Sequence, residues 1–293
     1  MRPSIIYLFL IFLFNFTGIY SQKKLETTSP KDSTNTSKKE RTILETLKYD
    51  GASTWGGIKH AYSRPFHWKG KDWAKFGAVA AGTALLYFID EPANDFFTDQ
   101  ADDIPGVVQE FGFRFGKPVI NYGITSSVYA FGLLTKNEKI RKTGVLLISA
   151  ATVGGLIQTV TKTGLGRARP GTNKGNGSFK LFSNEAAYHS FPSGHTILTF
   201  TTAHAIAKQF KNPYVKSGIY AVGLISPVSR LWAGAHWLSD VGLGIVMSVV
   251  IVDSIDKYLN KNERYVGYKN PNKLNVKWNL KLGIGQVGFV GTF

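Results

Sequence analysis

The sequence predicts an all-α protein, a bundle of six helices followed by a tail that can form a short β-structure. Six apolar segments rich in Ala, Gly, Leu, Val and Ile predict it, at residues 74–89, 119–134, 144–161, 196–207, 217–228 and 237–252. Several of them contain no charged residue, which is typical of helices buried against one another or in lipid. With 43% hydrophobic and 13% aromatic residues, the 293-residue chain can build such a core.

Hydropathy is compatible with this bundle in a membrane or in water. Most of the segments are shorter than the about 20 residues that cross a membrane, and the mean hydropathy of the chain is -0.06. Trp55, Trp68 and Trp73 precede the first segment, where they suit a membrane interface as well as ordinary core packing. We expect a membrane-embedded bundle, and a soluble bundle of six buried helices is the alternative.

The composition changes along the chain and predicts five regions. Residues 1–21 have a positive start, an apolar run and small residues near a cleavage point, as in a signal peptide; an uncleaved anchor helix is the alternative. Residues 22–50 are polar and indicate a linker, and 51–73 form a pre-helix segment. Residues 74–259 contain the helices and form the predicted main domain, and 260–293 form a C-terminal tail whose stretch 276–282 alternates apolar and polar residues as a strand does.

Charge and cysteine content narrow the functional classes. Lys and Arg number 35 against 19 Asp and Glu, and the net charge of +16 favours anionic partners such as phosphate esters or acidic lipids. The absence of cysteine excludes disulfides and thiolate metal sites. Since neither metal-ligand spacing nor a nucleic-acid-binding motif is found, we expect no metal, no cofactor and no nucleic-acid partner.

Three polar clusters fall at the ends of predicted helices. The first contains Lys162 and Arg169, the second contains Ser193, Gly194 and His195, and the third contains Arg230, His236 and Asp240. Each cluster alone has an ordinary explanation as a helix cap or a solvated helix end. If the helices run antiparallel, however, all three lie on one side of the bundle. Three cations, two imidazoles and a carboxylate would then form one pocket, which is what phosphoryl transfer without a metal requires.

The chemistry of these side chains predicts their roles. The cations Lys162, Arg169 and Arg230 can hold the non-bridging oxygens of a phosphate, the arginines through paired hydrogen bonds. Ser193 and the Gly194 amide lie at a helix N-terminus, a position that favours anions.

The two histidines are predicted to carry the reaction. His236 is the nucleophile candidate because Asp240, one helical turn later, can accept a hydrogen bond from its Nδ1 and leave Nε2 free to attack phosphorus. His195 would protonate the leaving alkoxide and then activate the water that hydrolyses the phosphohistidine.

The clusters also carry a family resemblance. The strings KTGLGRARP, PSGH and SRLWAGAHWLSD resemble the three signature motifs of the type 2 phosphatidic acid phosphatase and vanadium haloperoxidase superfamily, K-x6-RP, PSGH and SR-x5-H-x3-D. The resemblance covers roughly residues 74–259 and leaves both ends of the chain unexplained. It implies a six-helix core and a metal-free phosphohistidine mechanism, with the residue roles given above.

The expected function is hydrolysis of a phosphate monoester or diphosphate, with a phosphorylated lipid as the preferred partner. Three alternatives remain: a secreted acid phosphatase of broad specificity, a vanadate-dependent haloperoxidase, and a binding or structural protein without catalysis.

Loop charges predict the orientation in the membrane. The loops opposite the predicted pocket are basic, with Lys136, Lys139, Arg141 and Lys142 in one and Lys208, Lys211 and Lys216 in the other. The positive-inside rule places them in the cytoplasm and the active site at the periplasm or cell exterior. A cleaved signal peptide followed by six spans would give the opposite orientation, so the helix count conflicts with this expectation.

Overall fold

The computed structural model describes residues 41–261, residue 265 and the segments 277–283 and 286–292. The segment predicted as a signal peptide and most of the predicted linker lie outside the described residues. No side chain is described in the two C-terminal segments.

The described residues form nine α-helices and an antiparallel pair of strands. The helices are α1 (Ile43–Ser63), α2 (Gly70–Phe88), α3 (Asp90–Asp99), α4 (Gly106–Phe115), α5 (Pro118–Leu134), α6 (Glu138–Leu165), α7 (Gly194–Ala207), α8 (Pro213–Trp232) and α9 (Leu238–Lys261). The strands are β1 (Lys277–Gly283) and β2 (Gln286–Thr292), with Lys277 opposite Thr292. The predicted all-α class is confirmed.

Each of the six predicted segments coincides with a helix, apart from residue 89 and residue 237 at two segment ends, and the helices are longer than predicted. They correspond to α2, α5, α6, α7, α8 and α9. Helix α6, for example, begins at Glu138 because Asn137 caps it, so its charged first turn precedes the apolar run that was used for the prediction. Periodicity therefore located the helices better than it located their ends.

Helix α1 corrects the predicted linker and pre-helix segment. It starts inside the predicted linker, where Thr42 and Glu45 form a capping box, and it continues to Ser63. Its buried residues are polar or small, and they are Thr46, Asp50, Ser53 and Gly57. The apolar pattern of this helix is weak, because its fully buried residues are polar or small, and Ile58 and Ala61 contact the core as partly buried side chains.

Helices α6, α7 and α9 enclose the main core of the bundle. The buried cluster includes Leu146 and Val153 from α6, Ala205 from α7, and Val252 and Ile255 from α9. Small residues allow the helix backbones to approach closely: a Cβ added to Gly154 would lie 2.5 Å from Ile197 Cγ2. This packing fixes the relative positions of three of the four helices that carry residues of the predicted motifs.

The connections show which helix ends lie together. Lys139 Nζ donates to the Gln209 carbonyl at 3.0 Å, which joins the start of α6 to the turn between α7 and α8. The opposite end of the bundle therefore holds the end of α6, the start of α7, the end of α8 and the start of α9. We call it the motif end, and the end that holds Lys139 the basic end.

The outer surface of the described helices is strongly apolar. Large exposed side chains include Phe76, Leu85 and Phe88 on α2, Val119, Phe131 and Leu134 on α5, Leu156 and Val160 on α6, and Val246 and Val250 on α9. By length and composition, α6 and α9 could each cross a membrane. Such contiguous apolar surface is unusual for a protein surrounded by water.

Candidate active site

The predicted site residues come together at the motif end. Lys162 lies in the last turn of α6, His195 in the first turn of α7, Arg230 in the last turn of α8, and His236 just before α9. The ring of His195 interacts electrostatically with Arg230, His236, Lys162 and Arg169. Residues from four separate parts of the sequence therefore share one pocket.

His236 and Asp240 face each other in the buried part of this pocket. His236 Nδ1 lies 3.7 Å from Asp240 Oδ2, and the two side chains are 2% and 0% exposed. The pairing is the predicted one, but this distance exceeds the about 3 Å of a hydrogen bond. His236 Nδ1 has no hydrogen-bond partner among the described residues. Only a small movement of the ring would complete the predicted bond.

Three donors fix the Asp240 carboxylate. Its Oδ2 accepts hydrogen bonds from Ser190 Oγ and, at 2.9 Å, from the Trp237 amide, and its Oδ1 accepts one at 2.6 Å from Arg167 Nη1. A buried carboxylate with these partners stays ionised and cannot rotate freely. Asp240 is therefore a rigid reference point for the His236 ring.

Burial determines the protonation state of His236. Loss of solvent is the largest effect and lowers the pKa of His236 to about 4, with Asp240 raising it and Lys162 and Arg169 lowering it. The imidazole is thus neutral near pH 7, as a nucleophile requires.

Helix α4 shapes the surroundings of His195. The His195 ring stacks on Phe113, with ring centroids 5.8 Å apart and an angle of 12° between the planes. A Cβ added to Gly116 would lie 2.3 Å from His195 Cδ2, so the ring rests directly on that backbone. Phe113 also contacts Arg230, whose guanidinium carbon lies 4.8 Å from the ring centroid. This role of α4 could not be predicted, because no sequence pattern connects Phe113 or Gly116 with His195, about 80 positions later.

Ser193 and Gly194 form the tight start of α7. Ser193 Oγ accepts a hydrogen bond from Thr196 Oγ1 at 2.9 Å and caps the helix, and the Ser193 amide donates to the Asp240 carbonyl at 3.2 Å. A Cβ added to Gly194 would lie 1.9 Å from Gln158 Oε1, so a larger residue there would require the Gln158 side chain to move. Their predicted contact with phosphate stays a prediction.

The three predicted phosphate-binding cations keep their charge available. Arg169 is held by backbone carbonyls only, those of Ala186, Ala235 and His189, at 3.0, 3.1 and 3.2 Å. Among the described residues, Lys162, Arg169 and Arg230 form no salt bridge with a carboxylate. The nearby Asp240 is instead paired with Arg167. The pocket therefore has an excess of positive charge, which favours a bound anion.

Two buried charged residues next to the site were not predicted from the sequence. Arg167 lies inside the first motif but received no role, and Asp90 begins helix α3. Both are almost completely buried and ion-paired with each other. Asp90 precedes Asp240 by 150 residues and stands at the start of a short acidic helix. No pattern in the sequence indicates that this charged residue is buried near the site.

Comparison with known proteins agrees with this geometry. The sequence model of the PAP2 superfamily matches residues 143–263, which contain all the predicted site residues. This segment is therefore similar to the PAP2 superfamily, and the resemblance expected from the three motifs is confirmed.

Individual relatives are more distant. A lipid A 1-phosphatase from Rhizobium etli is 35% identical over 104 residues, covering 35% of this chain and 44% of the relative. The undecaprenyl-diphosphatase BcrC from Bacillus subtilis is 38% identical over 66 residues, covering 22% of this chain and 33% of the relative. The match thus spans less than half the length of either curated relative.

Among solved structures, a transmembrane PAP2-type phosphatidylglycerolphosphate phosphatase from Bacillus subtilis is similar in fold. It is 18% identical with a TM-score of 0.49, and the match covers 64% of this chain and 97% of that one.

Proposed function

We propose that this protein hydrolyses the phosphate monoester or diphosphate of a membrane lipid through a phosphohistidine intermediate, without a metal ion. The observation that carries the proposal is the arrangement around His236. Its buried neutral imidazole lies beside an ionised Asp240, and the nearby cations Lys162, Arg169 and Arg230 lack a carboxylate partner among the described residues. This arrangement supplies a nucleophile and a binding site for the phosphate that it attacks.

In the first step, Nε2 of His236 attacks phosphorus. The N–P bond forms as the bond from phosphorus to the leaving oxygen breaks, and His195, whose protonated form is favoured by the negative charge of the bound phosphate, gives that oxygen a proton. The phosphoryl oxygens lie among Lys162, Arg169 and Arg230, which offset the charge that develops on them. Asp240 accepts a hydrogen bond from the Nδ1–H group and stabilises the positive charge that the phosphorylated ring acquires.

In the second step, water hydrolyses the phosphohistidine. His195 has lost its proton in the first step and can now take one from the attacking water. The new P–O bond forms as the P–N bond breaks, which releases phosphate and returns His236 to its neutral form. His195 Nε2 is buried and has no hydrogen-bond partner among the described residues, so it is available for both transfers.

A groove beside the site favours a substrate with a hydrocarbon chain. The groove has a volume of about 470 Å³ and lies between α2, the end of α6 and the start of α9. Its lining is almost entirely apolar and includes Phe76, Ala84, Tyr87, Phe179 and Leu243. Arg167 and Ser239 also line it, so it lies directly behind the residues that hold Asp240. We propose that one chain of the lipid substrate occupies this groove.

The outer surface and the names of the relatives support a membrane setting. The exposed apolar side chains of α2, α5, α6 and α9 would be buried in lipid, and the similar proteins include a lipid A 1-phosphatase and an undecaprenyl-diphosphatase. The basic end would face the cytoplasm and the motif end the periplasm or cell exterior.

A substrate panel tests the proposal. Phosphate release is measured in detergent with EDTA, using long-chain phosphatidic acid, a polyprenyl diphosphate and p-nitrophenyl phosphate, for the wild type and His236→Ala. We expect the wild type to prefer the lipids and the variant to be inactive. Release from the soluble ester alone would favour the broad-specificity acid phosphatase, and activity that survives in His236→Ala would contradict the mechanism.

A further inference from the structure

A buried ionic network lies on the side of Asp240 that faces away from His236. At its centre is Arg167, which is 2% exposed and uses all three of its nitrogens. Nη1 donates to Asp240 Oδ1 at 2.6 Å, Nη2 donates to Asp90 Oδ2 at 2.7 Å, and Nε donates to the Asn176 carbonyl at 3.1 Å. The guanidinium is therefore held in one plane between two carboxylates.

Ser239 forms a second link between Asp90 and Arg167. Its Oγ donates to Asp90 Oδ2 at 2.6 Å and accepts from Arg167 Nη1 at 2.8 Å. Its amide donates to Asp90 Oδ1 at 2.8 Å, so both oxygens of Asp90 are occupied. Because Ser239 immediately precedes Asp240, this bonding ties the start of α9 to the start of α3.

The charges of the network explain why Asp90 is needed. One guanidinium is shared by two carboxylates, so the group of Asp90, Arg167 and Asp240 carries a net charge of about -1. If Asp90 were absent, Arg167 could form a bidentate pair with Asp240 alone and neutralise it. The carboxylate would then lose most of its ability to stabilise positive charge on His236.

We propose that Asp90 and Arg167 are positioning residues for the nucleophile: they hold Asp240 in place and keep it negatively charged, so that it can orient His236 and stabilise the phosphorylated ring. Neither residue contacts the phosphate in this account. The inference rests on the proposed function, because it assigns the network to the reaction of that same site.

The surroundings of Arg167 support a rigid network. The guanidinium carbon lies 5.0 Å from the centroid of the Tyr87 ring and 5.5 Å from that of Trp237. The Trp237 indole in turn donates to the Ala168 carbonyl at 2.8 Å. Aromatic walls exclude water, which strengthens each ionic contact and makes a misplaced charge costly.

A steady-state experiment with the full-length protein in detergent tests the inference. Asp90→Asn keeps the shape of the side chain and removes its charge, so we expect kcat to fall about 10- to 100-fold while KM stays nearly unchanged. Inhibition by vanadate, which mimics the transition state, should weaken in parallel with kcat/KM, whereas inhibition by inorganic phosphate should not. A purely structural role would not separate these two inhibitors.

A double-mutant cycle identifies the route of the effect. Asp90→Asn should reduce kcat much less in an Asp240→Asn background than in the wild type, because its effect passes through the charge of Asp240. Independent, multiplicative losses in the two variants would overturn the inference. Arg167→Lys is a second variant, and it should show the same loss of kcat because lysine cannot bridge two carboxylates in one plane.

Asp50→Asn is the matched control, since Asp50 is an equally buried aspartate paired with an arginine at the basic end. It should lower the melting temperature and leave kcat unchanged. If Asp90→Asn behaves in the same way, the inference fails while the proposed function stands. A wild type without phosphatase activity would overturn the proposed function, and the inference with it.

Discussion

The two ends of the bundle each contain a buried arginine–aspartate pair, and the pairs differ in how their charges are balanced. At the basic end, Asp50 faces Arg141 at 2.9 Å and accepts hydrogen bonds from Tyr129 and Tyr265 at 3.0 and 2.7 Å. Two hydroxyl donors and one guanidinium thus surround this carboxylate, and the positive charge of Arg141 cancels the negative charge of Asp50. This cluster ties α1 to α5, α6 and residue 265.

At the motif end the ratio is reversed. One guanidinium, that of Arg167, serves the two carboxylates of Asp90 and Asp240. The remaining negative charge faces His236. Comparison of the two clusters indicates that a buried ion pair becomes useful for catalysis when its charges do not cancel, because an excess charge can stabilise a reacting group.

The largest predicted difference concerns the aspartates themselves. Asp240→Asn removes the acceptor that sets the His236 tautomer, and we expect kcat to fall about 10⁴-fold, the size of loss seen when a comparable aspartate is replaced in a Ser-His-Asp triad. Asp50→Asn should leave kcat within about twofold and destabilise the fold by about 3–5 kcal/mol, because it leaves Arg141 without its partner. Steady-state kinetics and thermal unfolding measure both. Similar kinetic losses in the two variants would remove the distinction between the ends.

The second prediction compares glycines at the two ends. Gly116→Ala places a Cβ 2.3 Å from His195 Cδ2, so the ring must move, and a displacement of about 1 Å can reduce kcat about 100-fold. Gly51→Ala in α1 meets no atom within 4 Å and should stabilise the helix by about 0.5–1 kcal/mol without changing kcat. Unchanged turnover in Gly116→Ala would mean that the position of His195 is not critical.

The third prediction concerns pH. Because burial lowers the pKa of His236 to about 4, the nucleophile is neutral from pH 8 down to about 5 and becomes protonated below about 4. After correction for substrate ionisation, kcat/KM should fall tenfold per pH unit below about 4. Lys162 lowers this pKa, so Lys162→Met should move the acid limb to higher pH. An acid limb near 6.5 in the wild type would show that the imidazole is solvated.

The smallest effect is expected in the apolar groove. Ala84→Trp would fill it, and we expect KM for long-chain substrates to rise by up to about tenfold, with little change for p-nitrophenyl phosphate. Ala78→Trp is the control, because Ala78 is exposed on the same helix but does not line the groove. Equal effects of the two variants on long-chain and soluble substrates would argue against a chain in this groove.

Much of the fold and the site could be predicted because local sequence carries them. The apolar segments gave six helices, and the motif spacing gave the residues that meet at the motif end, such as His195 and His236. Motif order and antiparallel helices were enough to place these residues together. The distance between His236 Nδ1 and Asp240 Oδ2 could not be predicted, because it depends on tertiary packing.

The missed features depend on tertiary contacts. Asp90 has a function only because α3 folds back on Ser239, and Gly116 matters only because the His195 ring packs on it. Helix α1 was missed for a related reason, since its buried face is polar and is satisfied by partners such as Arg141 far along the chain. No periodicity or spacing in the sequence encodes these contacts.

Trapping the covalent intermediate tests the central claim most directly. A phosphate ester with a good leaving group, labelled at phosphorus, is mixed with His195→Ala, in which the first step needs no acid and the second lacks its base. We predict one acid-labile, base-stable phosphoryl group per protein on His236, and none in a variant that also carries His236→Ala. No label on the protein, or a label on another residue, would contradict the account.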